Sequence, residues 1–373
     1  MPEPTPRANE ERAASILASR MPGLDLLRGV AILAVIFYHG FSFSAPRLAL
    51  PNRPVAFLYH LTGWGWLGVN LFFILSGFLI TGLLQDSVAN ERYYRRFYIR
   101  RALRIVPAYL AILLLIWTLG FVHLPYILVC LFFLANAPGL FLAPGFAFYG
   151  PLWSLAVEEQ FYLVWPFLQR RLAQRAILAT CCGLILVCPV LRWLLEGHLL
   201  FAGVPNSRTW MFTDNLAMGA ALALVVRMPR LSLRQFSTMG LWLFVSGAAG
   251  ELVLASIHQL RRGLGSSIGV SFLMLVAAGL MIGALRGFRS GSVPRGLRFL
   301  IFFGDISYGL YLIHVLCLMI YDRVAGEGAL HSLRGITIRF VIANGAAVAI
   351  ATLSRRSFEQ WFIGLRYRFR AAA

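Results

Sequence analysis

Apolar runs of about twenty residues recur through nearly the whole chain, broken by short polar segments rich in arginine. They fall at roughly 24–43, 61–84, 105–121, 153–168, 176–195, 209–226, 237–256, 266–285, 299–322 and 336–353. A helix needs ~20 residues to cross a ~30 Å hydrocarbon core, so the pattern predicts an all-α polytopic transmembrane helix bundle of about ten spans. A further run at 124–135 is too short to cross and ends in Asn136-Ala137-Pro138-Gly139, which reads as re-entrant or interfacial. Residues 1–20 read as a disordered cytoplasmic tail and 363–373 as a basic one, flanking a membrane domain at 21–362.

The first run carries Arg28 near its start and His39 eleven residues later. At 100° per residue both side chains lie on one helix face, about 16 Å apart along the axis. Ionisable residues inside lipid are costly and mark sites by default. The plainer reading, Arg28 snorkelling to the interface and His39 bonding a neighbouring helix, stays open on this helix alone.

Composition narrows the class. With 59% hydrophobic and 13% charged residues and a mean hydropathy of +0.73, the chain is a membrane protein. All 34 basic residues are arginine, which excludes a lysine Schiff base or a P-loop lysine. The five cysteines lie in apolar runs without metal-ligand spacing and read as packing residues, so no metal is expected. The net charge of +19 suggests nucleic acid until its distribution is seen. The segments 1–20, 85–104, 169–175, 227–235, 286–298 and 354–373 hold 24 arginines, and the intervening loops hold 7. Placing the rich segments in the cytoplasm satisfies the positive-inside rule, with ten crossings and both termini inside. The charge then reports topology, with anionic-lipid contact as a side effect.

Four further stretches carry candidate chemistry. Gly65, Gly68 and Gly77 in the second run predict close packing against the first helix, and Ser76 reads as a small packing residue. Arg101 and Arg104 are three apart, share a helical face and can grip one phosphate, unless the loop is a generic basic stop-transfer segment. Glu158 and Glu159 enter a membrane run after Trp153 and Ser154. Adjacent residues point about 100° apart, so at most one carboxylate faces a cavity, and Glu158 with Trp153 is placed beside one near the outer surface. Tyr308, Tyr311 and His314 share a face inside another run. Arg192, Asp214, Asn215 and Arg339 are polar positions with no partner visible in the sequence.

These residues together resemble the acyltransferase 3 family of bacterial integral-membrane O-acyltransferases. The resemblance rests on Arg28 to His39, on Gly68-Val69 through Leu75-Ser76-Gly77-Phe78, and on Arg101 to Arg104 with Pro107. Trp153-Ser154-Leu155 to Glu158-Glu159-Gln160-Phe161-Tyr162 and Ser307-Tyr308 to Tyr311 and His314 complete it, in order from Leu24 to about Phe362. Relatives often show a proline after a Ser-aromatic-acid sequence; here Gln360-Trp361 follow Ser357-Phe358-Glu359. The expectation is therefore a stand-alone form without a C-terminal SGNH-hydrolase-like domain. The resemblance implies transfer of an acyl group, most often acetyl from cytoplasmic acetyl-CoA, to a hydroxyl of a carbohydrate or lipid-linked glycan. It places the protein in the bacterial cytoplasmic (inner) membrane. On that reading Arg28, Arg101 and Arg104 bind the acyl-CoA donor, and His39 and Glu158 are catalytic. Trp153, Ser154, Tyr308, Tyr311 and His314 contact the substrate. His39 would act either as general base or as carrier of the acyl group. The competing class is a transporter or flippase of a glycan or anion, against which no inverted repeat is visible.

Overall fold

A computed structural model of the chain describes residues 21–44, 50, 52–137, 147–195, 209–228, 231–257, 263–288 and 293–365. The expected tail at 1–20, residues 366–373 of the expected tail at 363–373, and most of the outer loop at 138–151 lie outside the described residues. The first half comprises α1 (Pro22–Phe37), α2 (Arg53–Thr62), α3 (Leu67–Gln85), α4 (Tyr93–Thr118), α5 (Leu124–Leu131) and α6 (Leu152–Arg171). The second comprises α7 (Gln174–Leu195), α8 (Thr209–Val225), α9 (Leu233–Ser256), α10 (Gly263–Gly287), α11 (Arg298–Ala325), α12 (Leu333–Ser354) and α13 (Gln360–Leu365). Among the described residues there is no strand, so the all-α polytopic bundle stands.

Among the described residues, seven helical stretches are long and apolar enough to cross a membrane: Pro22–Ser42, Arg53–Gln85, Gln174–Leu194, Leu233–Ser256, Ser267–Gly287, Arg295–Ala325 and Leu333–Leu365. The set leaves out α4 and α6, which carry charged residues of the candidate site, and α8, whose apolar stretch is shorter. With eight residues α5 is about 12 Å long, far short of a bilayer core. The second run differs from its simplest reading. Helix α2 precedes it within the expected outer loop, and a turn at Gly63–Trp66 separates α2 from α3.

Close contacts fix the helix directions. Gly29 meets the Leu300 carbonyl and Gly304 the Asp25 carbonyl near one end, and His39 meets His314 further along both helices, so α1 and α11 run parallel with the two glycines facing each other. A Cβ at either position would collide with the opposing backbone, and small residues are what let membrane helices approach this closely. Gly65 and Gly68 pack on Ala34 and Ala31, which makes α3 antiparallel to α1, as expected. Gly77 does not join them: it faces Leu216 of α8, because its position on the 3.6-residue repeat turns it to α3's other side. Tyr93 and Tyr98 donate to the carbonyls of Pro166 and Leu163, so α4 and α6 are antiparallel. The chain between them, α5 included, therefore begins and ends at the same side of the bundle.

The polar residues without visible partners find them across helices. Arg192 of α7 reaches Asp214 of α8 at 2.8 Å and also donates to the carbonyls of Ser267 and Met211 and to the Ser271 hydroxyl. Asp214 in turn accepts from the backbone and side-chain amides of Asn215. Arg339 of α12 binds Asp322 of α11 through Nε at 2.6 Å and Nη2 at 2.7 Å. Both guanidinium groups are buried. A buried ion pair is tolerated where geometry is good and the remaining donors are satisfied, and both pairs meet that condition.

Candidate functional site

The arginines on the α1–α4 side are placed quite differently. A cavity of about 500 Å³ opens among Asp25, Arg28, Arg100, Arg101, Arg104, Asp305 and Arg355, at the bundle end that holds the starts of α1, α4 and α11 and the end of α12. A second cavity of about 300 Å³ shares Arg28, Leu83, Arg101 and Arg104 with it and continues inward past Ser76, Glu158, Tyr162, Phe72 and Val69 to Ser154, Tyr308 and Tyr311. Arg28 has one carboxylate partner, Asp25 at 2.8 Å, and Arg355 has Asp305 at 2.9 Å. Arg101 and Arg104 form no ion pair among the described residues. The Nε of Arg101 is buried without a hydrogen-bond partner, and its guanidinium carbon stacks 4.3 Å from the centre of the Tyr162 ring. Glu158 and Glu159 lie near enough to act on Arg101 electrostatically but not to form an ion pair. Guanidinium donors left unspent around a shared opening can take an anion, because Arg is the side chain best suited to bidentate phosphate or carboxylate recognition.

Glu158 lines the inner cavity and Glu159 does not, as the 100° offset between neighbours requires. Its position differs from the one expected. It lies six residues into α6, about 9 Å from Leu152, on the arginine side of the cavity rather than beside Trp153. Trp153 lines neither cavity. It packs against Phe212 at 5.0 Å and Phe73 at 6.0 Å, and reaches the cavity only through Phe73. Ser76 is more than a packing residue: it lines the cavity and hydrogen-bonds the Tyr162 hydroxyl. The spacing of four from Glu158 to Tyr162 was the available signal for Tyr162, since it puts both on one face of α6.

The far end of the inner cavity is closed by Tyr311, which meets the Ser154 hydroxyl at 2.6 Å; Tyr308 lines it nearer the arginines, donating to the carbonyl of Ile105, beside Arg104, at 2.7 Å. Behind Tyr311, at 5.8 Å between ring centres, stands the fully buried His314, whose Nε2 is 3.1 Å from Nδ1 of His39. Neither histidine lines the inner cavity; Tyr311 separates them from it. His39 and His314 are 275 residues apart, the same separation as Gly29 and Gly304, so the parallel register of α1 and α11 sets the histidine pair.

His39 sits where the first helix changes pitch. After Phe37 the backbone widens into a π-helical turn, Tyr38–Ser42, a feature that often occurs at functional sites. The turn is seated on α12. Gly40 packs against the Phe340 ring, and that ring lies 4.8 Å from both Phe37 and Phe41. Arg339, held by Asp322, donates to the Ser44 hydroxyl at 3.1 Å and to the Gly40 carbonyl at 3.4 Å, while Ser44 donates to the His39 carbonyl. The turn bearing His39 is thus held by one of the paired arginines. Nothing in the sequence signals this seat, because its parts are almost 300 residues apart.

A family model described as an acyltransferase domain matches residues 21–356. The chain is 33% identical over 237 residues to the putative peptidoglycan O-acetyltransferase YrhL of Bacillus subtilis, covering 57% of this chain and 34% of that protein. It is 34% identical over 239 residues to the peptidoglycan O-acetyltransferase OatA of Listeria monocytogenes, covering 57% and 35%. It is 28% identical over 330 residues to the O-acetyltransferase OatA of Staphylococcus aureus, covering 79% and 50%. The matches span between about a third and a half of these relatives' lengths. No solved structure matches the chain.

Proposed function

The chain belongs to the acyltransferase domain family, and on that premise we propose that it is a membrane O-acyltransferase moving an acetyl group from acetyl-CoA to a glycan hydroxyl. The observation that carries the reading is the unpaired Arg101–Arg104 cluster at the mouth of a cavity that leads, one aromatic ring further, to a histidine pair.

In this reading the donor's phosphates bind Arg28, Arg101 and Arg104. Each charge-assisted contact is worth about 1.5–3 kcal/mol. Glu158 faces Arg101 and Ser76 and serves to hold Arg101 inside the bundle. The thin pantetheine arm occupies the inner cavity between Phe72, Phe73 and Tyr308 and carries the thioester to Tyr311. Tyr311 is tethered to Ser154 through its hydroxyl, and the way to His39 opens when that bond breaks and the ring swings aside. His39 takes the acceptor hydroxyl's proton as general base, an effect worth about 10²–10⁴ in rate.

We place the arginine-rich cavity on the cytoplasmic side of the bacterial inner membrane and propose ten crossings with both termini inside. The positive-inside distribution supports this, as do the parallel pairing of α1 with α11 and the opposition of α4 to α6, which leaves α5 without a net crossing. The acceptor then reaches His39 near the outer face. The names of the relatives favour peptidoglycan as the acceptor class.

The test is transfer of label from [¹⁴C]acetyl-CoA to soluble peptidoglycan fragments by the full chain in nanodiscs. Ester-linked label is expected, and His39→Ala is expected to remove it while leaving coenzyme A binding intact. Undiminished transfer by a folded His39→Ala protein would overturn the assignment of His39. Movement of unmodified glycan across proteoliposomes, without any transfer, would establish a transporter instead.

A further inference from the structure

The histidine pair has a defined proton arrangement. Nδ1 of His314 lies 3.0 Å from the carbonyl of Leu310, which can only accept, so Nδ1 carries the proton. Nε2 of neutral His314 is then a lone pair. Nδ1 of His39, 3.1 Å away, donates to it, and the Val35 carbonyl one turn back, which also accepts from the His39 ring, favours a proton on the same nitrogen, so Nε2 of His39 is left unprotonated. The backbone around His314 is held by another side chain. The Tyr149 hydroxyl enters the α11 ladder, donating to the Leu312 carbonyl at 2.6 Å and accepting from the Leu316 amide at 3.0 Å. Tyr149 and His314 are both buried.

We infer that His314 is a positioning residue for the acyl transfer, which fixes His39 in the tautomer whose Nε2 is the working base. This rests on the acyltransferase reading above. It moves His314 from substrate contact to a role like that of the aspartate in a Ser-His-Asp triad, with a neutral imidazole as acceptor in place of a carboxylate. A neutral acceptor suits a site at membrane depth, where an unpaired carboxylate would be costly. In the step, the acceptor's O–H proton passes to Nε2 of His39 as its oxygen bonds to the thioester carbonyl carbon. The C–S bond then breaks, and the departing sulfur takes the proton from Nε2. Throughout, Nδ1–H of His39 stays bonded to His314, which stabilises the imidazolium that exists between the two transfers. The Tyr311 ring, 5.8 Å from His314 on the cavity side, shields the pair from the donor arginines.

Two variants separate position from packing. His314→Gln keeps an acceptor near the place of Nε2, and His314→Leu fills the space without one. In the full chain in nanodiscs, ¹⁵N NMR of labelled histidines is expected to show His39, assigned by its loss in His39→Gln, protonated on Nδ1 and bare on Nε2. His314→Leu is expected to weaken that preference and lower kcat for acetyl transfer to peptidoglycan fragments by about 10²-fold, with the KM for acetyl-CoA unchanged. His314→Gln is expected to preserve the tautomer and most of kcat. A wild-type His39 protonated on Nε2, or a His314→Leu protein with unchanged tautomer and kcat, would overturn the inference. The expected tautomer in a wild type without transfer to any glycan would overturn the acyltransferase reading alone.

Discussion

Two sets of arginines lie inside this bundle, and they differ in what surrounds them. Arg192 and Arg339 each face a buried or half-buried aspartate and spend their other donors on carbonyls and hydroxyls. Arg101 and Arg104 have no carboxylate within ion-pair distance among the described residues and border open volume. The same side chain is used first to fasten helices and then to wait for a ligand. What distinguishes them is whether the guanidinium's donors are already spent on an ion pair, which only the folded chain can show.

The comparison breaks if the paired set proves dispensable for folding. Removing one partner of a buried pair strands the other charge and costs about 3–5 kcal/mol. Asp214→Ala is therefore expected to give the largest effect of all, a sharp fall in thermal stability and in yield of folded protein. A melting temperature within a few degrees of wild type would contradict the assignment. For the unpaired set the expectation reverses. Arg101→Gln with Arg104→Gln should lower the melting temperature clearly less than Asp214→Ala does, while the KM for acetyl-CoA rises by about 10²-fold or more from the loss of two charge-assisted contacts.

Arg339 sharpens the contrast because it belongs to the paired set yet supports the turn that bears His39. Arg339→Met is expected to reduce stability and also to lower kcat by about tenfold, with donor KM unchanged, since a small misplacement of a base costs rate. A loss of stability without any change in kcat would confine Arg339 to packing. The smallest effect is expected from Asp25→Asn. Arg28 and Asp25 are both partly exposed, and such pairs contribute about 0–1 kcal/mol, so stability should barely move and donor KM should change less than threefold.

The bundle was legible in the sequence because apolar runs of bilayer length and the arginine bias of alternate loops are local or additive signals. Arg101 and Arg104 were legible for the same reason, since a spacing of three in one helix already puts them on one face. The partners of Arg192 and Arg339 were not, because each depends on which helices become neighbours. Gly77 shows the same limit on a smaller scale: its need for a close neighbour could be read, but not that α8 would supply it. For His39 the sequence showed a candidate base on the right helix. It could not show the π-helical turn that aims it, the His314 lone pair that receives its proton, or the Tyr311 ring that stands before it.

The central claim is that the unpaired arginines are the anion site for an acyl-CoA donor and that His39 acts elsewhere. Binding of coenzyme A to the full chain in nanodiscs, measured by titration calorimetry, tests it most directly. The account predicts that His39→Ala binds as wild type does and that Arg101→Gln with Arg104→Gln loses at least about 10²-fold in affinity. Equal binding by the arginine variant would contradict it.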